Sequence, residues 1–151
     1  MKDTIQTILV PVDFSDATDK VIQAAQTVAQ AFKSRVVLLH VVEPEPDFVG
    51  FEPGPVSVRK SVAKEFHIEH AHLEESKQKL SAAGVDVIAL QIQGPTIEKI
   101  LHESVQQNAD MIVLGSHGHG ALHHLLTGSV AAGVLKDSAC PVLIVPVKKR
   151  A

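Results

Sequence analysis

Gly115, Gly118 and Gly128, with Ser129 directly after the last, are spaced by two and nine residues between an apolar run at 111–114 and a helix-like segment at 129–137. That placement predicts a long loop joining a strand to a helix. Glycine lets backbone amides reach a guest with no Cβ in the way, and a helix N-terminus offers unpaired N–H groups and a partial positive charge. The chemistry of such a loop is anion binding, with phosphate as the natural guest. Phosphates are expected over the amides of Gly118, Gly128, Ser129 and Val130, with the Ser129 hydroxyl adding a hydrogen bond or reaching a metal on the phosphate tail.

Other phosphate and nucleotide devices are absent. A Walker loop needs Gly-Lys-Ser/Thr, yet no lysine lies between Lys99 and Lys136. The dinucleotide fingerprint would follow the first strand, where the chain reads Pro11-Val12-Asp13 without glycine. A hydrolase elbow places glycines two residues either side of its serine, whereas Gly115 directly precedes Ser116. A phosphoacceptor receiver needs an acidic pair after strand one and an Asp ending strand three. Asp13 stands alone, and strand three ends in Gln91-Ile92-Gln93. His67, His70 and Glu74 share one helical face, opposite Val62, Phe66 and Leu73, so they form a solvated side and no metal site is assigned. His123 and His124 are read as a surface pair or as neighbours of the ligand rather than as catalysts, and no catalytic residue is assigned.

The elements that must position the loop alternate in type. Residues 5–12 form a β-branched run of the kind covered on both faces in parallel sheets, with Asp13 just past its end. Ser15 or Asp16 is expected to cap the next helix, whose inward stripe is Val21, Ala25, Val28, Ala29 and Phe32. Strand two, 35–42, leads into a connection at 43–55 whose prolines and glycines forbid regular structure. From residue 58 a long helix carries Val62, Phe66, Leu73 and Leu80 on one face and stops near Gly84. Strand three is 85–91. Gly94-Pro95-Thr96 then turns the chain into a helix with Ile97, Ile100, Leu101 and Val105 inward. Strand four is 111–114, a short helix spans 129–137, and strand five is 141–147. Alternating strands and helices imply a parallel sheet, whose ligands bind where the strand order reverses.

Four stretches together resemble the nucleotide-binding type of the universal stress protein family over nearly the whole chain. They are Leu9-Val10-Pro11-Val12-Asp13-Phe14-Ser15, His40-Val41-Val42, the glycine loop, and Cys140-Pro141-Val142-Leu143-Ile144-Val145-Pro146. The resemblance implies a single Rossmann-like α/β domain over residues 1–151, of the adenine nucleotide alpha hydrolase-like kind. Its five-stranded parallel sheet would run in the order 3-2-1-4-5 with helices on both faces. Asp13 and Gly115 then stand at the two strand ends flanking the switch point. The resemblance further implies that the Asp13 carboxylate and the Val41 backbone face adenine, and that Pro11 and Gly115 lie near the ribose. Val12, His117, Gly118, His119, Gly128, Ser129 and Val130 complete the expected nucleotide-binding set.

One position departs from that pattern. After the second glycine the family usually carries Arg or Lys, and here His119 replaces a permanent charge with a titratable one, which favours a mono- or diphosphate over a triphosphate. The implied role is a cytoplasmic stress-response or signalling module that binds AMP, ADP or ATP, with Mg accompanying ATP. The competing reading is a slow nucleotide hydrolase or nucleotidyl transferase in the same pocket, which would need a general base or a Lys/Arg where the loop offers only histidines. Strand five, with Val142, Leu143, Ile144 and Val145, lies at a sheet edge in this order. The resemblance implies a homodimer through it, which also answers the hazard of a free apolar edge.

Composition agrees. The 151 residues suffice for one domain with a substantial core, and 45% hydrophobic with 21% charged residues is ordinary for a globular chain. Aromatics make up 3% and the net charge is −3, which argues against both base-stacking platforms and a phosphate-tracking basic surface, so no nucleic-acid partner is expected. No apolar run of about 18 residues or signal-peptide pattern occurs, so a cytoplasmic location without membrane contact is expected. The lone Cys140 can close no internal disulfide and reads as a small buried apolar residue.

Overall fold

A computed structural model describes residues 4–43, 56–116 and 129–146, with side chains in the long second helix described at Lys64 and from His67 onward. The elements are β1 (Thr7–Pro11), α1 (Thr18–Phe32), β2 (Arg35–Val42), α2 (Val56–Ala82), β3 (Asp86–Gln93), α3 (Thr96–Gln106), β4 (Met111–Gly115), α4 (Ser129–Asp137) and β5 (Val142–Val145). The sheet runs β3-β2-β1-β4-β5 with every pairing parallel, the order that the family resemblance implied.

Consecutive residues are buried along the central strands: Ile8, Leu9 and Val10 in β1, and Val36, Val37, Leu38 and Leu39 in β2. Burial that ignores the two-residue alternation means that both faces of the sheet are covered, which is why these strands read as unbroken apolar runs. One core joins Ile8, Val10, Val36 and Leu38 to Val21, Ala25 and Ala29 of α1 and to Leu73 and Leu80 of α2. The other joins Leu9, Val37, Leu39, Ile112 and Leu114 to Ile100 of α3 and to Ala131 and Val134 of α4. Each fully buried Leu or Ile contributes about 1.5–3 kcal/mol relative to exposure.

Three local expectations need correction. Phe32 sits in the last turn of α1, where Lys33 in the left-handed region breaks off the helix, and 49% of it stays exposed; Ile22 joins the buried stripe instead. Val105 is 64% exposed, and the adjoining Ser104 is buried in its place with its hydroxyl donating to the Leu101 carbonyl. Residues 97, 100 and 104 follow the three-and-four spacing of one helix face, so geometry overrode side-chain hydropathy there. Neither Ser15 nor Asp16 caps α1, whose N-cap is Ala17 without a side-chain bond. Gly84 does end α2, at φ 81°, a left-handed turn that glycine adopts without strain. Val62 and Phe66 lie outside the described side chains.

Candidate functional site

β1 and β4 are neighbours, paired at Ile8↔Met111 and Leu9↔Ile112, and the chain leaves them for helices on opposite faces of the sheet. From β1 it passes through Asp13 to α1; β4 is followed in sequence by α4. The C-terminal ends of these two strands therefore flank a switch in strand order, the place where ligands of open α/β sheets bind.

At its β1 rim the chain turns sharply. Asp13 Oδ1 accepts a hydrogen bond from the Ser15 N–H at 3.0 Å, Phe14 takes a left-handed φ of 58°, and the Ser15 carbonyl accepts from the Thr18 N–H at 3.0 Å. Asp13 thus shapes the helix entry with one carboxylate oxygen and stays partly exposed. Pro11 is half-buried at the strand end and Val12 is buried in the α1/α2 core. At the β4 rim, Gly115 pairs with Val145, and Ser116, buried, donates its N–H to the Val145 carbonyl at 2.9 Å.

On the α3/α4 face a cavity of about 540 Å³ opens between Glu43, Pro95, Thr96, Ile97, Glu98 and Leu101 on one side and Ser129, Val130 and Asp137 on the other. This volume lies within the range of small-molecule sites, typically about 300–1,000 Å³. Ile97, Leu101 and Val130 give it apolar walls, and all three pack with Val41 and Ile92 against the core of that face. The Thr96 hydroxyl donates to Glu43 Oε1 at 2.7 Å, which ties the end of β2 to the start of α3 at the cavity mouth.

The cavity brings together Ser129 and Val130 of the expected set, and Val41 belongs to the same packed face. Pro11, Asp13 and Gly115 stand at the strand ends rather than in the cavity wall, and Val12 points into the opposite core. His117, Gly118, His119 and Gly128 lie outside the described residues. Sequence reasoning missed Glu43, Thr96, Ile97 and Leu101. The signal available was the Gly94-Pro95-Thr96 turn, which follows a strand C-terminus and so belongs to the binding edge of the sheet.

Residues 4–146 match the model of the Universal stress protein family. The chain belongs to that family. Among curated relatives it is 33% identical to the Universal stress protein in QAH/OAS sulfhydrylase 3'region of Thermus aquaticus, over 93% of this chain and 98% of that one. It is 30% identical to Universal stress protein MJ0577 of Methanocaldococcus jannaschii, over 91% and 93% of the two chains. The solved structure of MJ0577 superposes on this universal stress protein with a TM-score of 0.79 at 29% identity, covering 97% of this chain and 99% of that one. A universal stress protein solved in complex with cAMP shares the fold at a TM-score of 0.73 and 23% identity, covering 97% of this chain and 100% of that one.

One further polar group stands behind the β1 rim of this universal stress protein. His40, only 6% exposed, places Nδ1 2.8 Å from the Val12 carbonyl and Nε2 2.9 Å from Glu69 Oε2. Its ring packs against Phe14 with centroids 4.7 Å apart. Sequence reasoning noted His40 only as the residue before Val41; the signal was a lone histidine in an apolar strand run. Among the described residues no group of three or more His, Cys, Asp or Glu is placed to hold a metal; His67 and His70 are exposed, and His70 Nδ1 pairs with Gln91 Oε1 at 3.2 Å. No helix among the described residues is long and apolar enough to cross a membrane.

Proposed function

We propose that this universal stress protein is a cytoplasmic nucleotide-binding module that holds an adenine nucleotide at the β1/β4 crevice, its occupied and empty states being read by a partner protein. The observation that carries the reading is the divergence of the chain at Asp13 and Gly115, beside an apolar-walled cavity that begins at the first residues of α4. The apolar walls at Ile97, Leu101 and Val130 suit a flat base, and the exposed Ser129 at the α4 N-terminus suits a phosphate. In this reading the Asp13 carboxylate and the Val41 peptide address adenine, Pro11 and Gly115 flank the ribose, and the loop from His117 through Gly118, His119 and Gly128 closes on the phosphates. That another family member with this fold holds cAMP supports an adenine nucleotide as the guest. ATP would bring Mg through its phosphates and the Ser129 hydroxyl.

The same reading includes a homodimer through β5. In a parallel ladder every second residue turns its N–H and C=O to the same neighbour. The Pro141 and Val145 carbonyls face β4, accepting from Ile112 and Ser116 at 3.0 and 2.9 Å, so Val142 and Ile144 turn theirs to the outer edge.

Native mass spectrometry of freshly purified protein, followed by calorimetry with adenosine, AMP, ADP and Mg-ATP, tests the reading. A co-purified adenine nucleotide is expected, with binding that Gly118→Val or Gly128→Val reduces to the level of adenosine. Undiminished AMP affinity in both variants removes the loop from the site, and rapid conversion of ATP to ADP turns the module into an enzyme.

A further inference from the structure

β1 and β2 form a regular parallel ladder up to the Val12 N–H, which donates to the Leu39 carbonyl at 2.8 Å. The next rung of such a ladder runs from the Val41 N–H to the Val12 carbonyl. Among the backbone bonds of the described residues that rung is missing. The Val12 carbonyl accepts from His40 Nδ1 instead, at 2.8 Å, although Val41 remains in register with Ile92 of β3 on its other side. The backbone of β2 is thus held in the sheet while the Val41 peptide faces the open end of β1.

We propose that His40 is a positioning residue for purine recognition: by occupying the Val12 carbonyl it keeps the Val41 N–H out of the ladder and available to the edge of a base. This inference rests on the nucleotide reading above and assigns to His40 the regulation of that site's base-facing peptide. A carbonyl only accepts, so Nδ1 carries a proton, and Nε2 faces the acceptor Glu69 Oε2 at 2.9 Å. The contact with Glu69 is thus a second polar tether on the ring. Glu69 from α2 fixes the ring orientation, in the manner of a carboxylate that orients an imidazole. Phe14 lies against the ring and in turn touches His72, at a centroid distance of 5.6 Å, and Gln91, the register partner of His40 on β3, is engaged by His70. A ring held from both nitrogens has little freedom to release Val12.

Two amide substitutions separate this role from simple filling of the core. In His40→Asn the side-chain N–H₂ takes the place of Nδ1 and still donates to Val12; in His40→Gln it reaches the place of Nε2 and donates only to Glu69. Calorimetry with adenosine and AMP is run on the wild type, both amide variants and His40→Leu, with hydrogen exchange of the Val41 amide followed by NMR in the unliganded proteins. His40→Asn is expected to bind both ligands within about threefold of the wild type, while His40→Gln and His40→Leu lose about tenfold, equally for adenosine and AMP. In those two the Val41 amide exchanges more slowly, because it has taken the Val12 rung. Equal affinities in His40→Asn and His40→Gln, or a wild-type-like His40→Leu, overturn the inference and leave the nucleotide reading intact. A wild type that binds neither ligand overturns the nucleotide reading and this inference with it.

Discussion

At Gly133, α4 comes so close to α3 that a Cβ would stand 2.5 Å from Ile97 Cδ1, and 3.2 and 3.3 Å from Ile97 Cγ1 and Cγ2. Ile97 also lines the cavity, and Gly133 lies one turn beyond the Ser129 and Val130 that face it. The helix seam and the width of the cavity are therefore set by the same pair. Alanine at 133 would gain about 0.5–1 kcal/mol of helix preference but lose about 1–3 kcal/mol to overpacking. Gly133→Ala should thus lower stability by about 1 kcal/mol. Adding Ile97→Val removes the nearest atom, so thermal melting of the double variant should show a smaller loss than the two single losses added together. A Gly133→Ala variant that melts above the wild type would show that the seam yields freely.

Glu43, Glu98 and Asp137 set three carboxylates around the cavity whose apolar walls are proposed to meet the base of an anionic nucleotide. They disfavour phosphate but leave an uncharged nucleoside indifferent, and salt screens the effect over about 10 Å at 0.1 M. The variant Glu43→Gln/Glu98→Gln/Asp137→Asn should bind AMP a few-fold more tightly at low salt, converging on the wild type at high salt, with adenosine affinity unchanged. A matching gain for adenosine would mean that the carboxylates act on the shape of the cavity. Glu43→Gln keeps an acceptor for the Thr96 hydroxyl, so folding is expected to persist.

His119 puts a titratable group in the glycine loop at the position where the resemblance implies Arg or Lys. A phosphate favours the charged imidazole, so the bound state holds the proton more tightly than the free state, and binding strengthens as pH falls. The ratio of AMP to adenosine affinity should rise between about pH 8 and about pH 6.5, below which the phosphate itself begins to take up its proton. Calorimetry with both ligands isolates the phosphate-dependent part, since any change at the base appears in both. His119→Arg should hold the ratio high and flat; a wild-type ratio that does not move with pH would place His119 away from the phosphate.

The β5 edge offers a dimer test that puts no charge into the interior. Leu143 and Val145 pack against the α1/α2 core and Val142 and Ile144 against the α3/α4 core, so charges at any of these positions strike the interior. The outward N–H of Ile144 is a cleaner target. Ile144→Pro removes that donor while the bonds from Ile112 and Ser116 to β5 remain, and proline is tolerated on an edge strand. Light scattering should find a dimer for the wild type and a monomer for Ile144→Pro at micromolar concentration, with little change in helix content by circular dichroism. A dimer that survives Ile144→Pro assembles through another surface.

Local periodicity carried the elements. The runs at β1, β2 and β4 are legible because a strand buried on both faces must be apolar throughout, and Asp13 and Gly115 then mark their ends. Gly84 stops α2 because its φ of 81° costs glycine nothing. The resemblance supplied the strand order that the sheet adopts, while most of the glycine loop lies outside the described residues. What remained hidden depends on residues far apart in the chain. Glu43 meets Thr96 across 53 positions, and His40 meets Val12 and Glu69 across 28 and 29, pairings that no local pattern records. Hydropathy chose Val105 and Phe32 for the interior, whereas the position of each helix over the sheet buried Ser104 and Ile22. The sequence by itself determined which segments are strands and helices, since that follows from the spacing of apolar side chains along one chain. Which backbone groups at the strand ends are left facing the crevice was decided only by tertiary structure, because a hydrogen bond goes to whichever partner folding brings within reach.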